Sequence, residues 1–281
     1  MERIMLYRDT SCTELRVLAH LRRFVPEVSV LKYHCENYDM DARLAQQLFL
    51  AIHEQRLQAI FSVDYYPVLA EVAHTAGIPY IAWIYDAPHY ALYSPTSRYD
   101  TSFLFTFDRE ECDRLLQMGR PHVFHQPLAA DPKHFSECIA QAGEREVCDV
   151  SFLGSSYQNE HDLFARQEGL SDYEIGYLNA LLCAQKQVYG YPFLGESMPG
   201  EMMDHLLSAC GVEIPAAYDL PKELAAAKLL EKKLSVIERK EMVRSIADRF
   251  GITLYSETDA LAGNGVRFCG LRDADGTGVF L

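Results

Sequence analysis

The sequence lacks the features that mark secreted and membrane proteins. Its N-terminus, MERIMLYRDTSC, has no apolar signal-peptide core, and no run of about 18 apolar residues could span a membrane. The eight cysteines form no C-x-x-C pair and stand far apart. Without a secretory signal, they are expected to be reduced thiols. These absences predict a cytoplasmic protein with no integral membrane segment.

Sharp catalytic motifs are also missing. There is no P-loop, no G-x-G-x-x-G after the first predicted strand, no H-E-x-x-H and no G-x-S-x-G. The pair His122 and His125 has metal-ligand spacing but stands on a predicted strand between prolines. The acidic tail around Asp273 and Asp275 departs from a calcium loop, because Thr277 replaces the usual Asp or Asn. We therefore predict no metal site and no cofactor.

Charge excludes a further class of partner. The formal net charge is -14, and such a surface repels phosphate backbones, so we expect no nucleic-acid partner. The chain has 281 residues, of which 49% are apolar, so it can bury the core of one large or two medium domains.

Strand and helix signals alternate through the first half of the chain. Short apolar runs rich in Val, Ile, Tyr and Phe are separated by helical patterns at the spacing of a βαβ unit. The predicted strands are Arg3–Tyr7, Val28–Tyr33, Ala59–Val63, Tyr80–Ile84, Phe103–Phe107 and Val123–Gln126. This alternation favours an α/β fold with a parallel, doubly wound sheet.

A polar stretch, ECIAQAGERE, interrupts this pattern and indicates a domain boundary. We predict a first, independently folded domain over residues 1–136, a linker over 137–148 and a second domain over 149–281. The second domain is predicted to be rich in helix, with strands at Asp149–Leu153, Ile252–Tyr255 and Val266–Cys269.

Several helix ends carry recognisable signals. Ser11 and Glu14 have the spacing of a capping box for the first helix, as do Ser171 and Glu174 for a later one. The run Gly77-Ile78-Pro79 supplies the glycine and proline that commonly follow a helix end.

Polar and aromatic residues cluster in the loops that follow predicted strands. Ligands of open α/β sheets bind beyond the carboxyl ends of the strands. Tyrosine rings can stack on sugar faces, and carboxylates accept hydrogen bonds from hydroxyls. The same residues could simply cover the sheet edge and cap helices, which is the role we expect for Asp108. The loops are Asp64–Pro67, Tyr85–Tyr90, Gln126–Asp131 and Gly154–Ser156.

An ordered set of short motifs resembles a known family. Residues 59–94 read AIFSVDYYPVLAEVAHTAGIPYIAWIYDAPHYALYS, residues 148–157 read CDVSFLGSSY, and residues 189–193 read YGYPF. In this order they resemble the spore-maturation CgeB-like glycosyltransferases, and the likeness covers about residues 1–270. The resemblance implies a GT-B fold, in which two Rossmann-like domains face a cleft.

The resemblance also implies roles for individual residues. The first domain would hold a glycan, protein or small-molecule acceptor, and the second would bind a nucleotide-sugar donor without a bound metal. We expect Asp86, or else His89, to take the acceptor proton as general base. Backbone N–H groups of Gly154 and Ser155 are expected to hold the donor phosphate. The expected acceptor-binding residues are Asp64, Tyr65, Tyr85, Pro88 and Tyr93.

The sequence departs from the family after Phe268-Cys269-Gly270. Family members continue there into an apolar strand and a Gly-rich loop that line the donor site, whereas this sequence runs LRDADGTGVFL. We therefore expect an incomplete second domain. Two functions remain open: a glycosyltransferase, active or inactive, and a non-catalytic module that binds a glycan or other acceptor.

Overall fold

The fold is taken from a computed structural model that describes residues 1–9, 11, 13–141, 148–157, 169–256 and 258–270. The chain divides into two compact units. The first comprises Met1–Asp131 together with Pro215–Leu220, and the second comprises Pro132–Ile214 and Pro221–Leu281.

The first unit is built on a parallel sheet of six strands. The strands are β1 (Arg3–Arg8), β2 (Glu27–Lys32), β3 (Ala59–Val63), β4 (Tyr80–Ile84), β5 (Ser102–Thr106) and β6 (Val123–His125). Their order is β2-β1-β3-β4-β5-β6, and every adjacent pair is parallel. This is the Rossmann-like, doubly wound α/β sheet that the alternating sequence pattern predicted.

Helices connect these strands. They are α1 (Glu14–Phe24), α2 (Ala42–Gln55), α3 (Pro67–Ala76) and α4 (Arg109–Gln117), with 3-10 turns at Tyr90–Tyr93 and Pro95–Arg98. Pro67 stands in the first turn of α3, and Gly77 ends that helix in the left-handed conformation, with φ of 68°. Asp108 caps α4 by accepting the N–H groups of Glu110 and Glu111. The predicted C-terminal end of α3 and the predicted cap of α4 are therefore confirmed.

The predicted capping box of α1 is wrong. Thr13 is the residue before the helix, and no side chain caps it. The Glu14 side chain is 2% exposed; it accepts the N–H of Asp9 at 2.8 Å and pairs with Arg8 at 3.2 Å. Glu14 therefore ties the end of β1 to the start of α1 and serves no cap.

The second unit is rich in helix. Its described helices are α5 (Pro132–Gln141), α6 (Asp172–Gln185), α7 (Gly200–Ala209) and α8 (Lys222–Phe250). The strands β7 (Ser151–Leu153), β8 (Ile252–Tyr255) and β9 (Val266–Phe268) form a parallel sheet in that order. Ser171 and Glu174 form the predicted capping box of α6. No helix within the described ranges is long and apolar enough to cross a membrane.

The first residues of the predicted linker over 137–148 lie in a helix. Helix α5 runs through Gln141, because its amphipathic pattern continues past the first polar residues of that stretch. The main segment of the first unit ends at Asp131 rather than at residue 136, and Pro215–Leu220 also belongs to this unit. Residues 271–281, where the sequence departs from the family pattern, lie outside the described ranges.

A buried ion pair anchors Pro215–Leu220 within the first unit. The Arg120 side chain is fully buried, and its guanidinium donates two hydrogen bonds to the Asp219 carboxylate, at 2.5 and 2.9 Å. Arg120 also donates to Ser97 Oγ at 3.0 Å, and the Asp219 N–H donates to Tyr93 O at 3.1 Å. A fragment that ended at residue 136 would leave this arginine buried without its carboxylate.

Asp219→Ala should destabilise the first unit by about 3 kcal/mol. Removing one partner of a buried pair leaves an uncompensated charge, and the low end of the usual range applies because the Asp219 side chain is 29% exposed. Trp83 is the one tryptophan of the sequence and lies on β4, so its fluorescence during urea unfolding reports on this unit.

The matched control is Glu27→Ala. It breaks the Arg3–Glu27 pair, whose side chains are 40% and 65% exposed, and should cost less than about 1 kcal/mol. Equal effects of the two substitutions would show that the buried pair does not anchor the segment.

Candidate functional site

The strand order creates a crevice between β1 and β3. From β1 the chain moves outward to β2, whereas from β3 it proceeds the other way through β4, β5 and β6. The loops that leave β1 and β3 therefore turn to opposite faces of the sheet, and a crevice opens between them. Doubly wound proteins bind ligands in such a crevice. Asp9 follows β1 and Asp64 follows β3, so both lie at this crevice.

Asp64 fixes the loop that follows β4. Its backbone is left-handed, with φ of 60°, a conformation that Asp tolerates better than most residues. Its Oδ1 accepts the N–H of Tyr85 at 2.8 Å and that of Asp86 at 3.4 Å. Burial raises the pKa of the Asp64 carboxyl; the nearby His89 and the Tyr85 N–H oppose this rise.

Glu111 holds the other end of the same loop. This side chain of α4 is buried, and its Oε1 accepts the His89 N–H at 3.0 Å. His89 Nε2 lies 3.3 Å from the N and 3.1 Å from the O of Tyr65. Either tautomer of the ring engages this nitrogen with the Tyr65 backbone. His89 is thus held against the Tyr65 backbone through Nε2, and its role as the second candidate base stays a prediction.

Asp86 lies between these two anchors and is exposed. Its backbone N–H is held by Asp64, and burial together with the charges of Asp9, Asp64 and Asp86 raises the pKa of the Tyr38 hydroxyl. The structure thus brings the first candidate base beside the β1–β3 crevice, on a loop with a fixed backbone.

Two of the five residues predicted to bind an acceptor are buried. Tyr65 and Tyr93 have no exposed surface. The Tyr65 hydroxyl pairs with Thr96 Oγ1 at 2.8 Å, and the Tyr93 hydroxyl accepts from Arg114 at 3.2 Å. Burial raises the pKa of both tyrosines. Both side chains form part of the packed interior, which does not favour their predicted contact with an acceptor.

Tyr85 and Pro88 are partly accessible. Tyr85 packs edge-on against Trp83, with ring centroids 5.1 Å apart, over the apolar cluster of Leu6 and Val17. Pro88 follows a cis peptide bond after Ala87. Tyr85 directly precedes the exposed Asp86 and Pro88 stands two residues after it, and both remain candidates for ligand contact.

Sequence reasoning missed a pair of residues at the ends of β1 and β2. The Asp9 side chain is 1% exposed, and its Oδ1 lies 2.7 Å from Nδ1 of His34, whose side chain is 69% exposed. Asp9 raises the pKa of the His34 imidazole through this hydrogen bond. The signal was available, because Asp9 directly follows the first strand of the sheet.

Tyrosines connect this pair to the rest of the crevice. Tyr66 donates to Asp9 Oδ2 at 3.5 Å, and its ring lies 4.8 Å from the ring of Tyr38. Tyr66 is buried, whereas Tyr38 is 42% exposed. Burial and the charge of Asp9 raise the pKa of both hydroxyls, which stay protonated near neutral pH.

The predicted donor-side turn differs from expectation. The Gly154 N–H donates to Tyr255 O at 3.1 Å as part of the sheet, so it is not available to a phosphate. Ser155 Oγ accepts the Tyr157 N–H at 2.9 Å, and Ser155 O accepts from Arg239 of α8. The Arg239 guanidinium also stacks 4.2 Å from the centre of the Tyr157 ring. Residues 158–168, which follow this turn, lie outside the described ranges.

Comparison with known proteins identifies no family. No protein-family model matches the chain, and no curated protein matches its sequence. Solved structures that resemble it include MurG of Acinetobacter baumannii, at 9% identity and a TM-score of 0.36, over 96% of this chain and 86% of that one. A benzoate-bound ABC-transporter solute-binding protein of R. palustris matches at 14% and 0.26, over 87% and 85%.

A third similar structure is a C2-type ketoreductase from a modular polyketide synthase, at 12% identity and a TM-score of 0.29, over 94% of this chain and 72% of that one. TM-scores this low are found between α/β proteins of unrelated function. They assign no activity to this chain.

Asp64→Ala should destabilise the first unit by about 2–3 kcal/mol. The substitution removes the acceptor of two backbone N–H groups and places alanine in a left-handed conformation. Asp64→Asn keeps both an acceptor oxygen and tolerance of this conformation, and should cost less than about 1 kcal/mol. Equal losses, measured by urea unfolding followed at Trp83, would contradict this account of the loop.

A comparison of the wild type with Asp64→Asn also tests the raised pKa of Asp64. A carboxyl whose folded pKa exceeds its ordinary value of 3.8 binds protons more tightly in the folded state, so the wild type loses stability as pH rises above 3.8. Asp64→Asn lacks this titration and should gain stability relative to the wild type over that window. A difference that stays constant from low pH to neutrality would exclude the shift.

Proposed function

We propose that the protein is a glycosyltransferase of the GT-B type, which transfers a sugar from a nucleotide-sugar donor to a hydroxyl or amide of an acceptor. The observation that carries the proposal is the exposed carboxylate of Asp86 at the β1–β3 crevice, on a loop fixed by Asp64 and Glu111. The ordered motifs shared with the CgeB-like glycosyltransferases, and the division into two α/β units, support the same function.

Asp86 is the proposed general base of this reaction. Its carboxylate accepts the proton of the acceptor group as the acceptor oxygen or nitrogen forms a bond to the anomeric carbon of the donor sugar. The bond from that carbon to the phosphate oxygen breaks, and the nucleoside diphosphate leaves with the electron pair. A fixed backbone suits this role, because proton transfer requires a base within hydrogen-bond reach.

We place the donor diphosphate in the second unit, near Arg239. This arginine contacts the Ser155 carbonyl and lines a groove of about 550 Å³ beside α8. A guanidinium suits phosphate oxygens, which it binds in a two-pronged geometry. Ser155 remains a proposed donor ligand, whereas Gly154 does not, because its N–H is already paired with Tyr255.

A non-catalytic acceptor-binding module is the second candidate function. The pairing of the Gly154 N–H within the sheet favours it, since the predicted phosphate-binding group is occupied. Titration calorimetry of the whole chain with nucleotide sugars and with neutral glycans separates the candidates. Donor binding supports the transferase, and glycan binding without donor binding supports the module.

Asp86→Asn should cut transfer by about 10²–10⁴-fold, the usual contribution of a positioned acid or base. The assay follows release of nucleoside diphosphate from a panel of nucleotide sugars, with water and with neutral glycans as acceptors. Folding should be intact because Asp86 is exposed.

Asp100→Asn is the control, since Asp100 is an exposed aspartate of the same unit outside the loops of the crevice. Unchanged turnover by Asp86→Asn would remove Asp86 from the mechanism.

A further inference from the structure

The loop between β2 and α2, residues 33–41, borders the β1–β3 crevice. His34 pairs with Asp9 at the end of β1, at 2.7 Å. Tyr38 packs on Tyr66, with ring centroids 4.8 Å apart. The pKa of the Tyr38 hydroxyl is raised by burial and by the charges of Asp9, Asp64 and Asp86. The ring of Tyr38 therefore lies at the same carboxyl-end edge as the proposed base.

The backbone of this loop is held at several points. The Val68 N–H, in the first turn of α3, donates to Tyr38 O at 2.9 Å. Asn37 Oδ1 accepts the N–H groups of Asp39 at 3.0 Å and Met40 at 3.2 Å. Tyr218 donates to Asp39 Oδ1 at 2.7 Å. These contacts hold the loop from α3, from Pro215–Leu220 and from within the loop itself.

Despite this fixed backbone, the loop presents its side chains to solvent. His34 is 69% exposed at the side chain, Tyr38 is 42% exposed and Met40 is 76% exposed. A rigid backbone that displays an aromatic ring and an oriented imidazole loses little conformational entropy when it binds a ligand. This is the arrangement of a preformed binding surface.

The charges around Tyr38 select the class of ligand. Asp9 follows β1, Asp64 follows β3 and Asp86 follows β4 at this edge, and Glu36 lies in the loop itself. Such an edge repels anions. A neutral ligand with many hydroxyls fits, because the ring can stack on its C–H face while carboxylates and the imidazole hydrogen-bond its hydroxyls. A sugar unit has this chemistry.

We propose that Tyr38 and His34 form a subsite for a second sugar unit of the acceptor, next to the unit that reacts at Asp86. The inference rests on the proposed function and deepens it, since it makes the acceptor a neutral saccharide of at least two units. Tyr38 stacks on the second sugar, and His34, oriented by Asp9, hydrogen-bonds one of its hydroxyls. Neither residue takes part in the proton transfer.

The test compares acceptors of different length in the nucleotide-release assay, with neutral mono-, di- and trisaccharides and a panel of nucleotide sugars. Tyr38→Ala should raise KM for di- and trisaccharides by about 10-fold, the loss of one stacked ring, and leave kcat and the monosaccharide KM unchanged. Tyr38→Phe keeps the ring and should behave like the wild type. His34→Gln should raise the same KM values by a smaller factor.

Tyr173→Ala is the matched control, because Tyr173 is 73% exposed on α6 of the second unit. It should change no KM. Equal KM values of wild type and Tyr38→Ala for every acceptor would overturn the subsite, and so would a KM increase that is the same for monosaccharides and longer acceptors.

Failure of the proposed function gives a different result from failure of the subsite. If no nucleotide sugar is turned over, the transferase proposal fails, and calorimetry with the same saccharides decides the subsite alone. Binding of a disaccharide that Tyr38→Ala weakens about 10-fold, and Tyr38→Phe does not, supports it. Absence of binding by every saccharide overturns it.

Discussion

Carboxylates that accept backbone N–H groups hold the loops at the carboxyl-end edge of the first sheet. Glu14 accepts the N–H of Asp9 after β1, at 2.8 Å. Asp64 accepts those of Tyr85 and Asp86 after β4, and Glu111 accepts that of His89. Parallel strands end with N–H groups that no neighbouring strand pairs, and a charged acceptor makes a stronger hydrogen bond to them than a neutral one. The positions of Asp9 and Asp86 both depend on these bonds.

This construction gives the crevice its electrostatic character. Arg8 compensates Glu14, and His34 compensates Asp9, whereas Asp86 is exposed and Asp64 is half-buried. Desolvation raises the pKa of Asp64 even though backbone N–H groups stabilise its charge. An edge organised by carboxylates accepts hydrogen bonds well and repels phosphate. The acceptor side of the proposed reaction therefore suits neutral hydroxyl-bearing molecules, while a nucleotide donor needs the cationic groups of the other unit.

Local signals in the sequence determined most of the strand and helix assignment. Runs such as Ala59–Val63 and Tyr80–Ile84 match the observed strands, because buried parallel strands are continuously apolar. Charged residues were harder to interpret. Glu14 has the spacing of a cap but is buried beneath Asp9, and only the three-dimensional contact distinguishes these roles. The Asp9–His34 contact arises from the pairing of Arg8 with Lys32 between β1 and β2, and Asp219 reaches Arg120 from far along the chain.

The tyrosines show why a site cannot be assigned from residue type alone. Tyr80 pairs with Ser62 Oγ at 2.7 Å and accepts the Tyr66 N–H at 3.0 Å, so its hydroxyl completes the polar interior of the sheet end. Tyr65 and Tyr93 are enclosed in the same way. Each buried ring needs a partner for its hydroxyl, and that need places these tyrosines where polar loop groups converge. Tyr38 differs because its backbone is anchored to α3 while its ring remains exposed. A tyrosine at this crevice is available to a ligand when its backbone is held at a point that leaves its ring at the surface.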